Sequence, residues 1–346
     1  LPASHPFKQY KHIPGDSISI RTNSINKLIA DKNNFLWLAS NGYAVIRFNK
    51  ITERFDRPVT GGPKTALDLN FDDQGIIWVG RQGGGILKIN PATLQAQSDK
   101  RYQDLYARLP HVVVTSLYND RGKKMWYGSW DKVLYKYDPV TKTEMVYQQS
   151  NSPNTFINDD INSFAEDRQG RLWIGGKTKG LQLFDKKTQQ FFNYQHNPSQ
   201  EGSIADDNIR CIYIDKTGKS WMGTTKGISV SNPLQQQFVQ TFLPVVTGNN
   251  NDISIYDFYT DEKGDLWVGA SNGIYIKKKG TDNFIFKSLS YKGSPLAVSR
   301  FFEDSRGVFY IGTNYSLFIY NRTAHTIQLL PNTEKDQVMN KIIASR

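Results

Sequence analysis

The side chains best suited to recognising a ligand stand just after a recurring Trp-x-Gly unit. They are Tyr43, Arg81, Trp130, Lys132, Lys177, Lys179, Lys226 and Tyr315, with Asn41, Gln82, Asn272 and Asn314 among them. An aromatic face stacks on a sugar ring, a guanidinium grips a carboxylate or sulfate with a planar fork, and an ammonium acts as a point charge. The set reads as a candidate binding surface, with an acidic ligand favoured over a neutral one because Lys plus Arg (43) exceeds Asp plus Glu (32) by 11. Catalysis has less support. His5, His12, His111, His196 and His325 lack metal-ligand spacing, and only His111 stands near a predicted inner-strand entry, as the one candidate general base. With no glycine-rich phosphate loop and no nucleophile elbow, no catalytic residue, metal or cofactor is assigned. Lys277-Lys278-Lys279 reads as an exposed strand end, and no nucleic-acid motif accompanies it.

What must position these residues is a repeat. An Asp stands six residues before an aromatic in Asp31/Trp37, Asp72/Trp78, Asp120/Trp126, Asp167/Trp173, Asp215/Trp221, Asp261/Trp267 and Asp304/Tyr310. Two residues after the aromatic comes Gly80, Gly128, Gly175, Gly223, Gly269 or Gly312, with Ala39 as the substitute in the first copy. A turn glycine recurs at Gly75, Gly170, Gly218, Gly264 and Gly307, replaced by Asn34 and shifted to Gly122 in the first and third copies. Apolar residues three before each Asp (Leu28, Leu69, Leu117, Phe164, Ile212, Phe258, Phe301) mark a preceding strand.

The aromatics are spaced 41, 48, 47, 48, 46 and 43 residues apart, a period suited to a four-stranded propeller blade. The fourth copy gives strands at 161–166, 172–175, 181–184 and 190–194. The fold expected is all-β: one seven-bladed β-propeller of four-stranded antiparallel blades spanning 1–346, with repeats over about 20–331. In such a blade the connections between the second and third strands, and from the outermost strand to the next blade, open on one face. That face holds the candidate binding residues. The seven recurring aromatics are read as core. No run of 18 apolar residues exists, so no membrane span is expected in this domain, and Cys211, the only cysteine, reads as a small core residue.

Two terminal features extend the pattern. Phe7-Lys8-Gln9-Tyr10, with Pro14 and Ser17-Ile18, echoes Phe192-Asn193-Tyr194 with Pro198 and Ser203-Ile204, as an outer strand would. Met339 to Ala344 repeats Ile25 to Ala30, so residues 332–346 read as the start of a further repeat in a longer chain, or as a ring-closing strand.

The pattern Ile161-x-x-Phe164-x-x-Asp167-x-x-Gly170-x-Leu172-Trp173-Ile174-Gly175, then Gly180-Leu181, resembles the two-component regulator propeller repeat. That repeat builds the sensor region of hybrid two-component systems in Bacteroides-like bacteria. The resemblance implies a periplasmic location, a non-enzymatic sensor domain, and an oligosaccharide ligand whose capture regulates glycan utilisation. It also implies a second propeller and an immunoglobulin-like domain as partners in the same protein, a histidine kinase elsewhere in it, and a homodimeric full-length state. No nucleic-acid partner is implied. The alternatives are a propeller hydrolase or lyase and a protein-interaction scaffold, because the fold hosts all three.

Overall fold

Six of the repeats are each organised by one carboxylate. In the computed structural model, Asp31 accepts the backbone N–H groups of Asn33 (2.8 Å) and Phe35 (2.9 Å) through Oδ1, which closes the turn. Its Oδ2 accepts the indole Nε1–H of Trp37 at 2.9 Å. The same indole bond recurs from Trp78 to Asp72 (2.8 Å), Trp126 to Asp120 (2.8 Å), Trp173 to Asp167 (3.2 Å), Trp221 to Asp215 (2.9 Å) and Trp267 to Asp261 (3.0 Å). The six-residue spacing is thus the distance at which one carboxylate serves both its own turn and the tryptophan in the strand after it.

The structure describes residues 10–16, 19–56, 65–96, 112–200, 202–232, 237–241, 243–244, 253–291, 294–303, 308–315, 317–322 and 326–328. They form seven antiparallel sheets arranged as the blades of a ring and a small two-stranded sheet of Ser290–Tyr291 with Ser294–Pro295, with no helix among them. Blade 4 shows the plan: Ile161–Glu166 innermost, then Leu172–Gly176, Leu181–Asp185 and Gln190–Tyr194 outermost, paired in that order. The innermost strands of the other blades are Ile25–Ala30, Ala66–Phe71, Val114–Asn119, Ile209–Ile214, Ile255–Thr260 and Val298–Glu303. Six blades have four strands; among the described residues blade 2 has three (Ala66–Phe71, Ile77–Arg81, Ile86–Ile89), followed by a single bridge from Ile89 to Ala96. Residues 97–111, which follow in blade 2, lie outside the described residues.

The core lies between blades, in seven clusters, one per junction. Trp173 of blade 4, for example, packs with Ile204, Ile209 and Met222 of blade 5 and its lead-in. The ring closes in the same way: Tyr310 of blade 7, buried to 2%, packs with Ile25, Leu28, Leu36 and Leu38 of blade 1. Tyrosine serves there because the position asks for a buried ring.

The glycine two residues after each Trp marks where the next blade arrives. A Cβ on Gly128 would lie 2.4 Å from Ile161 Cβ, on Gly175 2.6 Å from Ile209 Cγ2, and on Gly223 2.5 Å from Ile255 Cγ2. Gly80 and Gly269 meet the Val114 and Val298 carbonyl oxygens at 2.7 and 2.6 Å. Gly312 differs. The nearest atoms to a Cβ there belong to Arg300 and Ser299 of its own blade, at 3.4 Å or more, so this position has room for a methyl group.

Two turn positions lack the recurring glycine. Asn34 takes the left-handed backbone (φ 66°) in place of glycine, as asparagine does with least strain. In blade 3 the left-handed residue is Lys123 (φ 62°); Gly122 sits one position early and does not fill the role. Tyr10, in the part of the N-terminal echo that is described, packs on Phe48 and Phe55 much as Tyr194 packs on Phe238. The rest of that echo (Phe7 to Gln9, Ser17, Ile18), residues 332–346, Asp304, Gly307, His5, His111 and His325 lie outside the described residues.

Two measurements check this account. Gly175→Ala should cost about 1–3 kcal/mol, the usual penalty for overpacking, whereas Gly312→Ala should stay within about 0.5 kcal/mol of wild type, both by urea denaturation. The second concerns acid. Burial by itself would raise the Asp120 carboxyl, but hydrogen bonds from Lys186 and Trp126 outweigh it and hold the group below the usual carboxylate range. A carboxyl depressed in the fold contributes stability that is complete above its unfolded pKa of about 3.9 and is lost as pH falls through the folded value. Thermal melts should therefore fall more steeply in the wild type than in Asp120→Asn below about pH 4.

Candidate functional site

The face carrying the candidate residues is assembled by a second sevenfold rule. The residue that opens each turn between the second and third strands donates its N–H to the carbonyl just before the innermost strand. The pairs are Asn41 to Ser24 (3.1 Å), Gln82 to Thr65 (3.1 Å), Trp130 to Val113 (3.1 Å), Lys177 to Asp160 (3.0 Å), Thr225 to Asn208 (3.3 Å), Ser271 to Ser254 (2.9 Å) and Asn314 to Ala297 (3.2 Å). Each bond ties that turn to the incoming connection, so both sets of loops share one face, as the strand order requires. Side chains reinforce the clasp in blades 1 and 7: Asn41 Nδ2 donates to Ser24 Oγ at 2.7 Å, and Ala297 N–H to Asn314 Oδ1 at 3.1 Å.

The eight candidates divide sharply on this scaffold. Trp130 is 46% exposed and Tyr43 37%. Neither ring is needed by the inter-blade core, and Tyr43 has His12 as a ring neighbour at 6.5 Å. Lys132 and Lys179 are exposed, Lys132 with a left-handed backbone (φ 61°) that turns the loop behind Trp130. Tyr315 is half-buried against the cluster between blades 6 and 7.

Arg81 is a correction. It is fully buried (0% exposed) and its Nη2 donates to the Gly84 carbonyl, so its guanidinium fastens its own glycine-rich turn and offers no fork to solvent. The signal that was misread is the run Gly83-Gly84-Gly85, all with positive φ, whose bare backbone needs a buried donor.

The lysines also differ from the expectation of a basic face. Lys177 pairs with Asp160 at 3.2 Å and Lys226 with Asp206 at 3.6 Å, and Asp159 accepts the N–H groups of Lys177 and Thr178 at 3.2 Å each. Acidic residues from the incoming connections balance the cations of the turns, which pattern-reading of the turns alone overlooked. The described histidines are structural: Nδ1–H of His12 donates to the Ile20 carbonyl (2.9 Å), and Nδ1–H of His196 to the Ile204 carbonyl (2.7 Å). Among the described residues no group of three or more His, Cys, Asp or Glu is placed to hold a metal ion. Cys211 is buried, which pushes its thiol up and leaves it without nucleophilic character.

Residues 155–178 match the family model for the two component regulator propeller. No curated protein matches the chain in sequence. Among solved structures, an extracellular domain assigned to the hybrid two component system BT3049 of B. thetaiotaomicron superposes with a TM-score of 0.69 at 22% identity, covering 86% of this chain and 40% of that one. PorZ, an essential bacterial surface component of the type-IX secretion system of Porphyromonas gingivalis, superposes at 0.67 with 17% identity, covering 89% and 48%. The Cps50 (Swd1) β-propeller domain of Myceliophteria thermophila superposes at 0.63 with 14% identity, covering 87% and 98%. At these identities the likeness is one of fold, and the chain spans less than half the length of the two bacterial structures.

Exposure separates two variants. Trp130→Ala should leave unfolding free energy within about 0.5 kcal/mol of wild type, as surface changes do. Arg81→Ala empties a buried site and strips a buried carbonyl of its donor, so it should cost about 2–4 kcal/mol in the same urea titration.

Proposed function

We propose that the chain is an extracytoplasmic ligand-sensing domain of a two-component signalling protein, and that its ligand is an oligosaccharide held on the face of the inter-strand turns. The observation that carries the sensor reading is the match of blade 4 to the two component regulator propeller, in a ring whose other blades repeat the same Asp, aromatic and glycine signature. The carbohydrate reading rests on Trp130 and Tyr43, flat amphipathic rings exposed on a face built of Asn, Asp, Lys and Thr side chains. The acidic preference no longer draws on Arg81, Lys177 or Lys226; it rests on the net charge of +11 and on Lys132 and Lys179. A periplasmic location, the regulation of glycan utilisation, and a second propeller, an immunoglobulin-like domain and dimerisation in the full-length protein belong to the same proposal.

Such a domain binds without turnover. Titration calorimetry against pooled neutral, uronic and sulfated oligosaccharides, with product analysis of each mixture, should show saturable heat and unchanged glycans. Trp130→Ala and Tyr43→Ala should each weaken binding about tenfold or more, the loss of one stacking contact. Hydrolysed or eliminated products would make the protein an enzyme. Absence of binding across every pool, with a protein partner found instead, would make it a scaffold.

A further inference from the structure

The channel at the centre of the ring carries a third recurring bond, made across three of the seven junctions. In each innermost strand the residue two after the first lies at a common level: Lys27, Asp68, Ser116, Ser163, Cys211, Asp257 and Arg300. The next residue turns its N–H away from its own sheet. The parity is fixed by the bond from Asp31 N–H to the Phe35 carbonyl (3.0 Å), which leaves Leu28, opposite Leu38, off the ladder.

Five of the other six N–H groups find an oxygen at that level. Leu117 donates to Asp68 Oδ2 (2.7 Å), Ile212 to Ser163 Oγ (3.0 Å) and Phe301 to Asp257 Oδ2 (2.8 Å), each acceptor coming from the preceding blade. Leu69 donates to Oδ1 of Asp68 beside it (2.9 Å), Phe258 to Asp257, and a serine, Ser116, precedes Phe164. At the seam where blade 7 meets blade 1 the preceding residue is Arg300, which only donates. Among the described residues nothing accepts the Leu28 N–H.

Three donors of one sign therefore stand at the seam. Arg300 Nη1 is turned back to the carbonyls of Tyr256 (3.0 Å) and Ser299 (2.7 Å), while its Nε is buried without a hydrogen-bond partner. Lys27, at the same level on blade 1, keeps its side chain 34% exposed and lies 3.4 Å from Asp68 on its far side. Asp257 on blade 6 interacts electrostatically with both Arg300 and Lys27, and Asp68 on blade 2 pairs with Lys27, but no acidic residue occupies this level between the two cations.

We propose that the seam between blades 7 and 1 binds an anionic group, a carboxylate or sulfate oxygen, held by Leu28 N–H, Arg300 and Lys27. The anion supplies the acceptor that the protein provides at other junctions and bridges the two blades where the ring closes. Its source is either a free inorganic anion or the acidic substituent of a sugar, and the site stands whether or not the ligand on the turn face is an oligosaccharide.

The test is amide NMR of the deuterated, ¹⁵N-labelled full chain, titrated separately with sodium sulfate, sodium glucuronate and, as a control, glucose, at constant ionic strength. Leu28 should shift saturably with sulfate, with glucuronate, or with both, and not with glucose; response to sulfate alone identifies the free anion, and response to glucuronate identifies the sugar carboxylate. Arg300→Ser places the hydroxyl found at Ser163 beside Leu28, so the response should vanish and exchange of the Leu28 amide should slow at least tenfold without added anion. Lys27→Met should raise the dissociation constant at least tenfold, and it keeps the proposal testable if Arg300→Ser fails to fold. An unshifted Leu28 with both anions, or an equal response in the Lys27→Met protein, would overturn the proposal.

Discussion

The bond from an aspartate to an indole six residues on is the constraint on which the rest of this ring depends. A tryptophan buried between blades must have its one N–H satisfied, because an unpaired polar group in that environment costs about 1–3 kcal/mol. The carboxylate that does so is also the one that closes the turn. The indole is thus fixed in rotamer and depth, and the next blade is laid on its face, with a glycine at the point of closest approach. Asp120 shows how far the device can be extended: Lys186 of the next blade reaches its Oδ2 at 2.6 Å and Glu166 at 2.9 Å, so one aspartate joins turn, core and neighbouring blade. Arg322 does the same between blades 6 and 7, pairing with Asp261 (3.5 Å) and Glu303.

This division of labour leaves one face free for recognition. All the turns that hold the tryptophan-capping aspartates lie at one end of the blades, and the clasped turns lie at the other. The clasps are backbone bonds, indifferent to side-chain identity, so Tyr43, Trp130 and Lys132 vary on a fixed frame. A propeller of this type can change its ligand without changing its fold.

The architecture was legible because its determinants are local and repeated. The Asp, aromatic and glycine spacing, and the strands of blade 4, are set by contacts within one blade or with the next, and they recur at a period that sequence displays directly. Tyr310 in place of tryptophan was readable for the same reason. What escaped the sequence depends on which way a side chain turns and what meets it across a junction. Arg81 ends its strand one position before Gln82, the counterpart of Trp130, yet it is buried under a run of glycines while Trp130 is half exposed. The ion pairs of Lys177 with Asp160 and Lys226 with Asp206 join residues 17 and 20 positions apart, from a turn and an incoming loop that only the fold brings together. Lys123 carries the left-handed turn residue although a glycine is its neighbour, because the carboxylate of Asp120 fixes the register and glycine merely follows it where it can. The cations at the seam are visible only when seven strands are laid side by side.

The most direct measurement of the central claim is hydrogen exchange at the seven indole N–H groups, resolved by NMR after transfer to deuterated buffer. Six of them, those of Trp37, Trp78, Trp126, Trp173, Trp221 and Trp267, are bonded to aspartate and belong to residues at most 6% exposed, while Trp130 is 46% exposed on the turn face. The account predicts six indole protons that persist for hours and one, from Trp130, that is lost within the dead time. Rapid loss of two or more of the six, or a protected Trp130, would contradict it.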